Sequence, residues 1–484
     1  MPIPPVTVGF DFGTTALKAV LFQGAQELHR LSFPYPLHAD LPGQATQALH
    51  DLQQAFSEAL EGVESYCASS GLQPQAVGFS NAMHSLVLLG EQGPSDVYTW
   101  ADSRASTGGL PVSHLYARTG VPYHPMTPAV KLVWLRASQD PRSWKAVSGV
   151  KEEVLRRYFG VFWTDVSTAA ATGLMHTDGH YDPQALALAG ITEAQLPRIV
   201  PVDQALPAML HPYRERYPRL AAAHWVIGAN DGATATEGLG IVRPSQAAVS
   251  VGTSTAIRTF TPTPLLDPEA RLFCYRVDER FLVGGASNNG GLVLGWLREH
   301  LEVPRDLDDL IYATTPGARG LLFLPALTGE RAPFWDPTLS GSLLGLGMHH
   351  TPPDIARAGM EGVALHLAWL ADLLRERVGP LEEIRVTGGL TRSRAWLQLL
   401  ANALGQAVSV AEDADLFEGS AFGAACIAAR GAGYTLSAER RYTHIAPNAE
   451  RARYEQLGRR YRHAALALRD LTHALHDEGS VTIR

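Results

Sequence analysis

One short pattern occurs twice in this chain, and it constrains the fold more than any other feature. Residues 8–20 read VGFDFGTTALKAV, and residues 249–258 read VSVGTSTAIR. Each copy has an apolar, β-rich run, then a glycine with two hydroxyl residues, then a second apolar run, which predicts a hairpin around a tight turn. The repetition predicts two related domains whose hairpins face each other across a cleft.

The two turns have the composition of phosphate-binding loops. Gly13 and Gly252 allow the backbone to approach an anion closely, and the N–H groups and hydroxyls around them can donate to phosphate oxygens. Only the first copy carries an acid, Asp11, where the second has Ser250. Because magnesium keeps much of its hydration shell, we expect Asp11 to hold Mg²⁺ through water. No Walker A pattern, GxxxxGK[ST], occurs in the chain.

The length and element pattern predict the domain organisation. A chain of 484 residues exceeds what one hydrophobic core usually supports, so two domains are expected. The pattern breaks at residues 241–247, just before the second hairpin, which gives domains 1–243 and 244–484. Strand and helix patterns alternate along both, so the predicted fold class is α/β.

Charge and cysteine usage exclude several classes of protein. The net charge of −8, with no long basic run, argues against a nucleic-acid partner. Three widely spaced cysteines without a CxxC pattern argue against disulfides and a zinc site, and they fit a reducing cytosol. The N-terminus lacks the features of a signal peptide, and no apolar run approaches ~20 residues. We therefore expect a cytoplasmic protein without a membrane-spanning helix.

Local patterns predict the elements that place polar residues. The predicted strands are residues 6–10, 16–22, 76–80, 224–227 and 384–387. The predicted helices are residues 49–70, 131–137, 151–158, 353–377 and 393–404. A glycine-rich segment at 284–295 leads into a further helix, and the tail from residue 440 is predicted to be helical and charged on one face. Ligands in open α/β sheets tend to bind beyond the carboxyl ends of strands. Residues 81–85 and 228–232 are therefore candidates for a site.

Asp231 follows one of these strands in a setting of small residues. A carboxylate there suits phosphoryl transfer to an alcohol, because it orients the hydroxyl and takes its proton. The alternative is that Asp231 caps the following helix. The local sequence does not decide between these roles.

Further candidates have structural alternatives as well. His84 suits hydrogen bonding to substrate hydroxyls, or it is satisfied within the fold. Trp100, Asp102 and Arg104 combine an aromatic face with a bidentate base and suit a polyol or an acid, although a surface salt bridge is the commoner outcome. The segment at residues 330–337, with its proline and aromatic content, suits a loop near the cleft or a packing role.

Together these segments resemble the FGGY family of carbohydrate kinases over roughly residues 6–433. The segments that carry the resemblance are DFGTT, AMHS, WADSR, KEEVLRRYFGVFWTDVSTAAATGL, GANDG, VGTST, LPALTGERAPFWDPTLSGSLLGL, ARAGMEGVA, VTGGLTRSRAWLQLLAN and EGSAFGAACIAA. The resemblance implies two ribonuclease-H-like domains of the actin and sugar kinase superfamily, with ATP and Mg²⁺ bound in a cleft between a sugar-binding N-terminal domain and a nucleotide-binding C-terminal domain.

The resemblance also implies roles for individual residues. Asp231 matches the catalytic base and Asp11 the acid linked to the metal. The ATP-binding positions are Gly13, Thr14, Thr15, Lys18, Gly252, Thr253, Gly291, Gly295, Gly388, Gly389 and Ser393. The substrate-binding positions are Met83, His84, Trp100, Asp102 and Arg104, with Arg104 or His84 facing a substrate carboxylate.

The substrate implied by the resemblance is D-gluconate, converted to 6-phospho-D-gluconate. Gluconate kinases of the family resemble this chain in AMHS and WAD-x-R, xylulose kinases typically read MHG at residues 83–85, and the Arg-Glu pair of glycerol kinases is absent. D-xylulose or another pentulose or polyol is the alternative. An ATP-driven conformational or sugar-sensing protein is a second alternative, against which the presence of both Asp11 and Asp231 argues. A homodimer is compatible with the resemblance.

Overall fold

The computed structural model describes residues 4–412, 418–436 and 440–481. Its strands, numbered in chain order, are β1 Val6–Phe12, β2 Ala16–Gln23, β3 Gln26–Pro34, β4 Thr46–Gln47, β5 Pro74–Asn81, β6 Val87–Gly90, β7 Gly93–Pro94, β8 Val97–Tyr98, β9 Ala146–Ser148, β10 Trp163–Asp165, β11 Arg198–Val200, β12 His224–Asn230, β13 Gln246–Val251, β14 Thr255–Thr261, β15 Phe273–Val277, β16 Arg280–Ser287, β17 Leu322–Leu324, β18 Ser342–Leu344, β19 Glu383–Thr387, β20 Val408–Ala411 and β21 Tyr442–Ile445.

The α-helices alternate with these strands along the chain. They are α1 Leu49–Ser70, α2 Val112–Thr119, α3 Pro128–Leu135, α4 Val150–Phe159, α5 Val166–Ala171, α6 Pro183–Ala189, α7 His211–Arg216, α8 Pro218–Ala221, α9 Asp231–Gly238, α10 Gly291–His300, α11 Leu307–Tyr312, α12 Pro352–Val378, α13 Arg394–Leu404, α14 Gly419–Gly431, α15 Arg451–Ala467 and α16 Arg469–Val481. The predicted α/β class is confirmed.

Two large sheets repeat one topology. The first has the order β12-β5-β1-β2-β3, and the second has β15-β16-β14-β13-β19-β20-β21. In each, a meander of three antiparallel strands (β1–β2–β3, and β13–β14–β16) continues into two parallel strands (β5 and β12, and β19 and β20). The duplicated hairpin therefore opens both sheets, which confirms the predicted pair of ribonuclease-H-like domains.

Each sheet has a core of its own. Strand β1 is buried on both faces except at Asp11, as expected for a strand covered by helices on both sides. Helix α1 packs its buried face on the first sheet and ends at Gly71, whose left-handed conformation lets its N–H reach the Cys67 carbonyl. The long helix α12 is the centre of the second core.

Helix α14 lies in the second half of the chain but packs on the first sheet and on α9. This contact requires glycines, because a Cβ at Gly9 would lie 1.9 Å from the Ala421 carbonyl oxygen, and a Cβ at Gly423 would lie 1.8 Å from that of Thr234. Between β20 and β21 of the second sheet, the chain thus returns to the first sheet, where α14 packs on the helix that begins at Asp231. The predicted domain boundary at residues 241–247 covers the connection after α9 and the first two residues of β13, and it stays a prediction.

Some predicted bounds were wrong. The helix expected at 131–137 is α3, Pro128–Leu135, because Pro128 fits the first turn, where its missing N–H costs nothing. The tail expected to be helical from residue 440 first forms β21, which pairs with β20. Among the residues that the structure describes, no helix has the length and apolar character needed to cross a membrane.

Candidate active site

Three parallel strands end together at the cleft. β1, β5 and β12 are neighbours, with Asp11 beside Ser80 and Asn230 beside Asn81 in the strand register. Parallel strands present their carboxyl ends at one edge of a sheet, so Asp11 and Asp231 meet there. They are close enough that the charge of Asp231 contributes to raising the pKa of Asp11.

Asp231 does not cap its helix. Asn230 is the N-cap of α9, and its side-chain oxygen accepts from the Ala233 N–H at 2.9 Å. One carboxylate oxygen of Asp231 instead accepts from the backbone N–H of Met83, at 3.3 Å. Burial raises the pKa of Asp231, and the positive charge of Arg258 opposes that rise. The capping alternative is therefore wrong, and the carboxylate is directed at the strand end that carries Met83.

Asn230 is held by a chain of buried polar contacts. Its backbone N–H donates to Ser167 Oγ, and the Ser167 hydroxyl donates to Asp165. Asp165 forms an ion pair with Lys151, and both side chains are fully buried. The segment at residues 151–174, singled out in the sequence, therefore positions the residue that precedes Asp231.

The environment of Asp11 is suited to binding a cation. Its Oδ1 atom is buried and has no hydrogen-bond partner among the described residues. Burial raises the pKa of Asp11 to about 6. Within the described ranges no group of three His, Cys, Asp or Glu side chains could hold a metal ion. A buried carboxylate oxygen without a partner fits Mg²⁺ held through water, and the role of Asp11 in holding the ion stays a prediction.

The first turn is held in place by its neighbours. The Trp100 indole N–H donates to Thr14 Oγ1 at 3.0 Å, and the Gln47 side chain donates to the Thr14 carbonyl at 2.7 Å. The N–H of Gly13 bonds within the turn, to the Ala16 carbonyl. Thr15 is exposed at the tip, so its hydroxyl faces solvent. The substrate-loop residue Trp100 is thus tied to the first phosphate loop.

Lys18 is engaged by an acid in this structure. It pairs with Asp11 in the hairpin register, but its ammonium donates to Glu418 at 2.8 Å. Glu418 also accepts from Arg30 at 2.8 Å. Lys18 therefore links the first hairpin to the start of α14, and its contact with phosphate stays a prediction.

The second turn packs on the N-terminus of α10. Gly252 and Thr253 are exposed, and their carbonyls accept from the N–H groups of residues 290–292. A Cβ at Gly291 would lie 2.9 Å from the Gly252 carbonyl oxygen, so Gly291 permits this packing. Around Gly295, one turn further along α10, a Cβ would meet nothing within 4 Å.

The segment with the predicted ATP-binding positions Gly388, Gly389 and Ser393 begins beside the second turn. Gly388 has φ of +106°, and a Cβ there would lie 2.7 Å from the Val251 carbonyl oxygen, so only glycine fits. A Cβ at Gly389 would meet nothing within 4 Å. Ser393 caps α13 by accepting from the Trp396 N–H at 3.0 Å, and its hydroxyl donates to Asp308. The structure places Gly388 against Val251 at the end of β13 and gives Ser393 a capping role.

His84 is buried in a strained conformation. Its φ is +66°, which is uncommon outside glycine and typical of functional sites. Its Nδ1 lies 2.8 Å from the Ala171 carbonyl, and burial, with the charge of Lys131, lowers the pKa of His84 to about 3. A neutral ring must then carry its proton on Nδ1, so Nε2 is an acceptor suited to a substrate hydroxyl.

Asp102 and Arg104 bind each other. Asp102 is fully buried, and Arg104 donates from Nε and Nη2 to its carboxylate, the shortest contact being 2.6 Å. The guanidinium also lies 5.2 Å from the centre of the Trp134 ring. The pair is therefore a half-buried bidentate ion pair that shapes the loop, and a substrate contact by either residue stays a prediction.

A cavity of about 730 Å³ lies between the two halves of the chain. Trp100, Asp102 and His124 line it from the first half, and Thr253 and Arg331 from the second. Predicted substrate and phosphate positions thus share one space.

Four residues of this region were not among the predicted site residues. Arg258 acts on Asp231, the Arg331 guanidinium lies 5.1 Å from the centre of the Trp100 ring, and His124 and Tyr275 are buried beside them. Arg331 lies in the segment at residues 330–337, for which proximity to the cleft was one interpretation. Arg258 is the last residue of the repeated pattern at residues 249–258, and His124 and Tyr275 belong to no motif.

Two family models match this chain. The FGGY family of carbohydrate kinases, N-terminal domain, matches residues 6–236, and the C-terminal domain of the same family matches residues 247–432. Together they cover both hairpins and Asp231.

Similar proteins with known names span nearly the same length. A gluconokinase of Bacillus subtilis (strain 168) is 34% identical over 454 residues, covering 87% of this chain and 86% of the relative. The crystal structure of a gluconate kinase from Lactobacillus acidophilus has a TM-score of 0.88 at 30% identity, and that of a ligand-bound xylulose kinase from the same organism has 0.89 at 31% identity; each covers 96% of this chain and 98% of its own.

Proposed function

Because this chain belongs to the FGGY family of carbohydrate kinases, phosphotransferases with an alcohol group as acceptor, we propose that it phosphorylates D-gluconate at the terminal hydroxyl, with Asp231 as general base. The observation that carries the choice of substrate is the 34% identity to a gluconokinase over most of both chains. The observation that supports the base is the carboxylate of Asp231, which is free of capping and lies at the cleft end of β12.

Asp231 performs the proton transfer in this proposal. Arg258 favours the ionised carboxylate, which offsets part of the effect of burial. The ionised carboxylate accepts a hydrogen bond from the substrate hydroxyl, orients the oxygen for in-line attack on the γ-phosphoryl group of ATP, and takes the proton as the bond forms. Met83, through its backbone N–H, fixes the direction of the carboxylate.

The two turns hold the phosphate chain from opposite sides. In this proposal the phosphates contact Gly252, Thr253 and Thr15, which are all exposed. Asp11 would hold Mg²⁺ through water, and the ion supplies charge neutralisation at the phosphates. Lys18 would have to exchange its bond with Glu418 for one with a phosphate oxygen.

The cavity suits a polyol chain. Neutral His84 offers an acceptor to a hydroxyl, and Trp100 offers an apolar face. Closure of the two halves over this space excludes water, which limits hydrolysis of ATP without a sugar. A cytoplasmic location and a homodimer stay expectations from the sequence.

D-xylulose is the second candidate. The ligand-bound xylulose kinase superimposes as well as the gluconate kinase does, with a TM-score of 0.89. The two-domain scaffold and the position of Asp231 serve both substrates equally, so only the sugar pocket distinguishes them.

ADP production by the purified protein tests the proposal. Mg·ATP is supplied with D-gluconate, D-xylulose, L-ribulose, glycerol or no sugar. The proposal predicts strong stimulation by D-gluconate alone. Stimulation by D-xylulose alone would keep the kinase assignment and overturn the substrate, and turnover without dependence on any sugar would contradict the proposed function.

A further inference from the structure

We propose that His124, Arg331 and Tyr275 form the subsite that takes the carboxylate of a sugar acid, and that they select aldonates over neutral polyols. This inference rests on the proposed gluconate kinase function and assigns a specificity role to residues that were not among the predicted substrate-binding positions. Its basis is a set of three buried hydrogen-bond donors without partners among the described residues, two of which, on His124 and Arg331, belong to residues that line the cleft cavity.

His124 presents one unpaired donor. The ring is 5% exposed and lines the cavity. Its Nδ1 accepts from the backbone N–H of Met126 at 3.2 Å. Burial lowers the pKa of His124 well below its ordinary value, so the ring is neutral and its one proton lies on Nε2. That buried N–H has no hydrogen-bond partner in the described part of the chain.

Arg331 presents a charged donor on the opposite wall. Its Nη2 donates to the Ser287 carbonyl at 2.8 Å, which fixes the guanidinium over the Trp100 ring. Its Nε–H is buried and unpaired among the described residues. An arginine with one side anchored and one donor free is suited to a carboxylate.

Tyr275 presents a hydroxyl behind the cavity. It is 1% exposed, its ring centre lies 6.1 Å from that of His84, and its hydroxyl has no partner among the residues described. A buried hydroxyl without a partner is costly, typically ~1–3 kcal/mol. Three such donors in one region indicate that a ligand satisfies them.

The charges around the subsite favour an anion. The largest charges that act on His124 are those of Arg331 and Lys131, both cations. Of the nearby acids, Asp102 is engaged by Arg104 and Glu330 by Ser287 and Asn289. The charge of Asp231 also acts on Arg331, and Asp231 is itself balanced by Arg258. A carboxylate can accept from several donors at once, whereas the CH₂OH group of a polyol leaves the charge of Arg331 unmatched.

The ATP phosphates are the other anions expected in this cleft. The test therefore measures binding of the sugar and binding of ATP separately. D-glucitol differs from D-gluconate only by CH₂OH in place of the carboxylate. It is measured as a substrate and as a competitive inhibitor against D-gluconate, with KM for ATP determined in parallel. The variants are Tyr275→Phe and His124→Asn, where the Asn side chain keeps an acceptor for the Met126 N–H and removes the outer donor.

We expect kcat/KM for D-gluconate to fall about 10–100-fold in each variant, because a hydrogen bond to a charged group is lost. The kcat/KM or inhibition constant for D-glucitol changes by less than about threefold, and KM for ATP stays the same. His124→Gln, whose amide reaches the Nε2 position, recovers part of the loss. Tyr312→Phe, at a tyrosine that is 72% exposed, is the matched control.

An equal fall for gluconate and glucitol, or a rise in KM for ATP alone, would overturn the inference. The thermal midpoint of Tyr275→Phe reports folding, and it should not fall, because the hydroxyl has no partner to lose and its burial without one is unfavourable. If the wild-type protein does not use gluconate, the proposed function itself fails. If the wild type uses gluconate and the variants keep its preference over glucitol, only this inference fails.

Discussion

Asn230 and Ser167 are joined by two hydrogen bonds: the backbone N–H of Asn230 donates to Ser167 Oγ at 3.0 Å, and the side-chain amide donates to the Ser167 carbonyl at 2.8 Å. Asn230 also caps α9. The start of this helix is thereby fixed in position and rotation, and with it the direction of the Asp231 side chain. The proposed proton transfer to Asp231 depends on this rigid attachment.

Lys151→Met tests how far the attachment depends on the buried ion pair beneath it. The change leaves Asp165 buried and unpaired, so the free energy of unfolding should fall by about 3–5 kcal/mol. Chemical denaturation measures this. Lys151→Met combined with Asp165→Asn should lose less than the single change, because no unpaired charge stays buried. A single variant as stable as the wild type would contradict the structural role of the pair.

Arg258→Met tests the charge that acts on Asp231. Burial raises the pKa of this carboxyl and Arg258 opposes the rise, so removing Arg258 should raise the pKa further. The acid limb of the pH profile of kcat/KM should move to higher pH, since a general base works only when ionised. Arg258→Lys, which keeps the charge, should move it less. An unchanged acid limb in Arg258→Met would mean that this charge does not reach the base.

The raised pKa of Asp11 predicts that the affinity for Mg·ATP depends on pH. Its pKa in the metal-free protein is about 6, raised mainly by burial, and the ion binds the ionised form. The affinity for Mg·ATP should therefore fall as the pH decreases through about 6. Titration calorimetry at a series of pH values measures this, and Asp11→Asn should bind weakly with little pH dependence. Equal pH dependence in that variant would assign it to another group.

The same pKa has a consequence for stability. The folded-state pKa of Asp11 lies above its ordinary value of 3.8, so its contribution to stability is present at low pH and is lost as the pH rises through about 6. Without metal and above pH 7, Asp11→Asn should thus have a higher thermal midpoint than the wild type. A lower midpoint would contradict the burial of an ionised Asp11.

The repeated hairpin was predictable because strand periodicity and turn composition are local. Each copy carries its own glycine and its own apolar runs, so the two domains could be anticipated before their sheets were seen. The positions of Asp11 and Asp231 after predicted strands followed from the same reasoning, but only the strand order of the first sheet shows that these strand ends lie together.

The rest of the site depends on contacts between distant segments. Asn and Asp are both favourable N-cap residues, so composition does not distinguish Asn230 from Asp231. Only the contacts show that Asn230 caps the helix, through the Ala233 N–H, and that Asp231 accepts from the Met83 N–H instead. Tyr275 lies on a strand of the second sheet, yet its ring meets His84 of the first half. Such positions leave no periodic signal, so the sequence could not mark them.

Turnover of the Asp231→Asn variant with D-gluconate is the most direct test of the central claim. The change keeps the side-chain shape and the bond from Met83 but removes the group that takes the proton. We expect kcat to fall by about 10²–10⁴-fold, while the Kd for ATP stays within about threefold of the wild type. A variant with kcat near that of the wild type would contradict the assignment of Asp231 as the base.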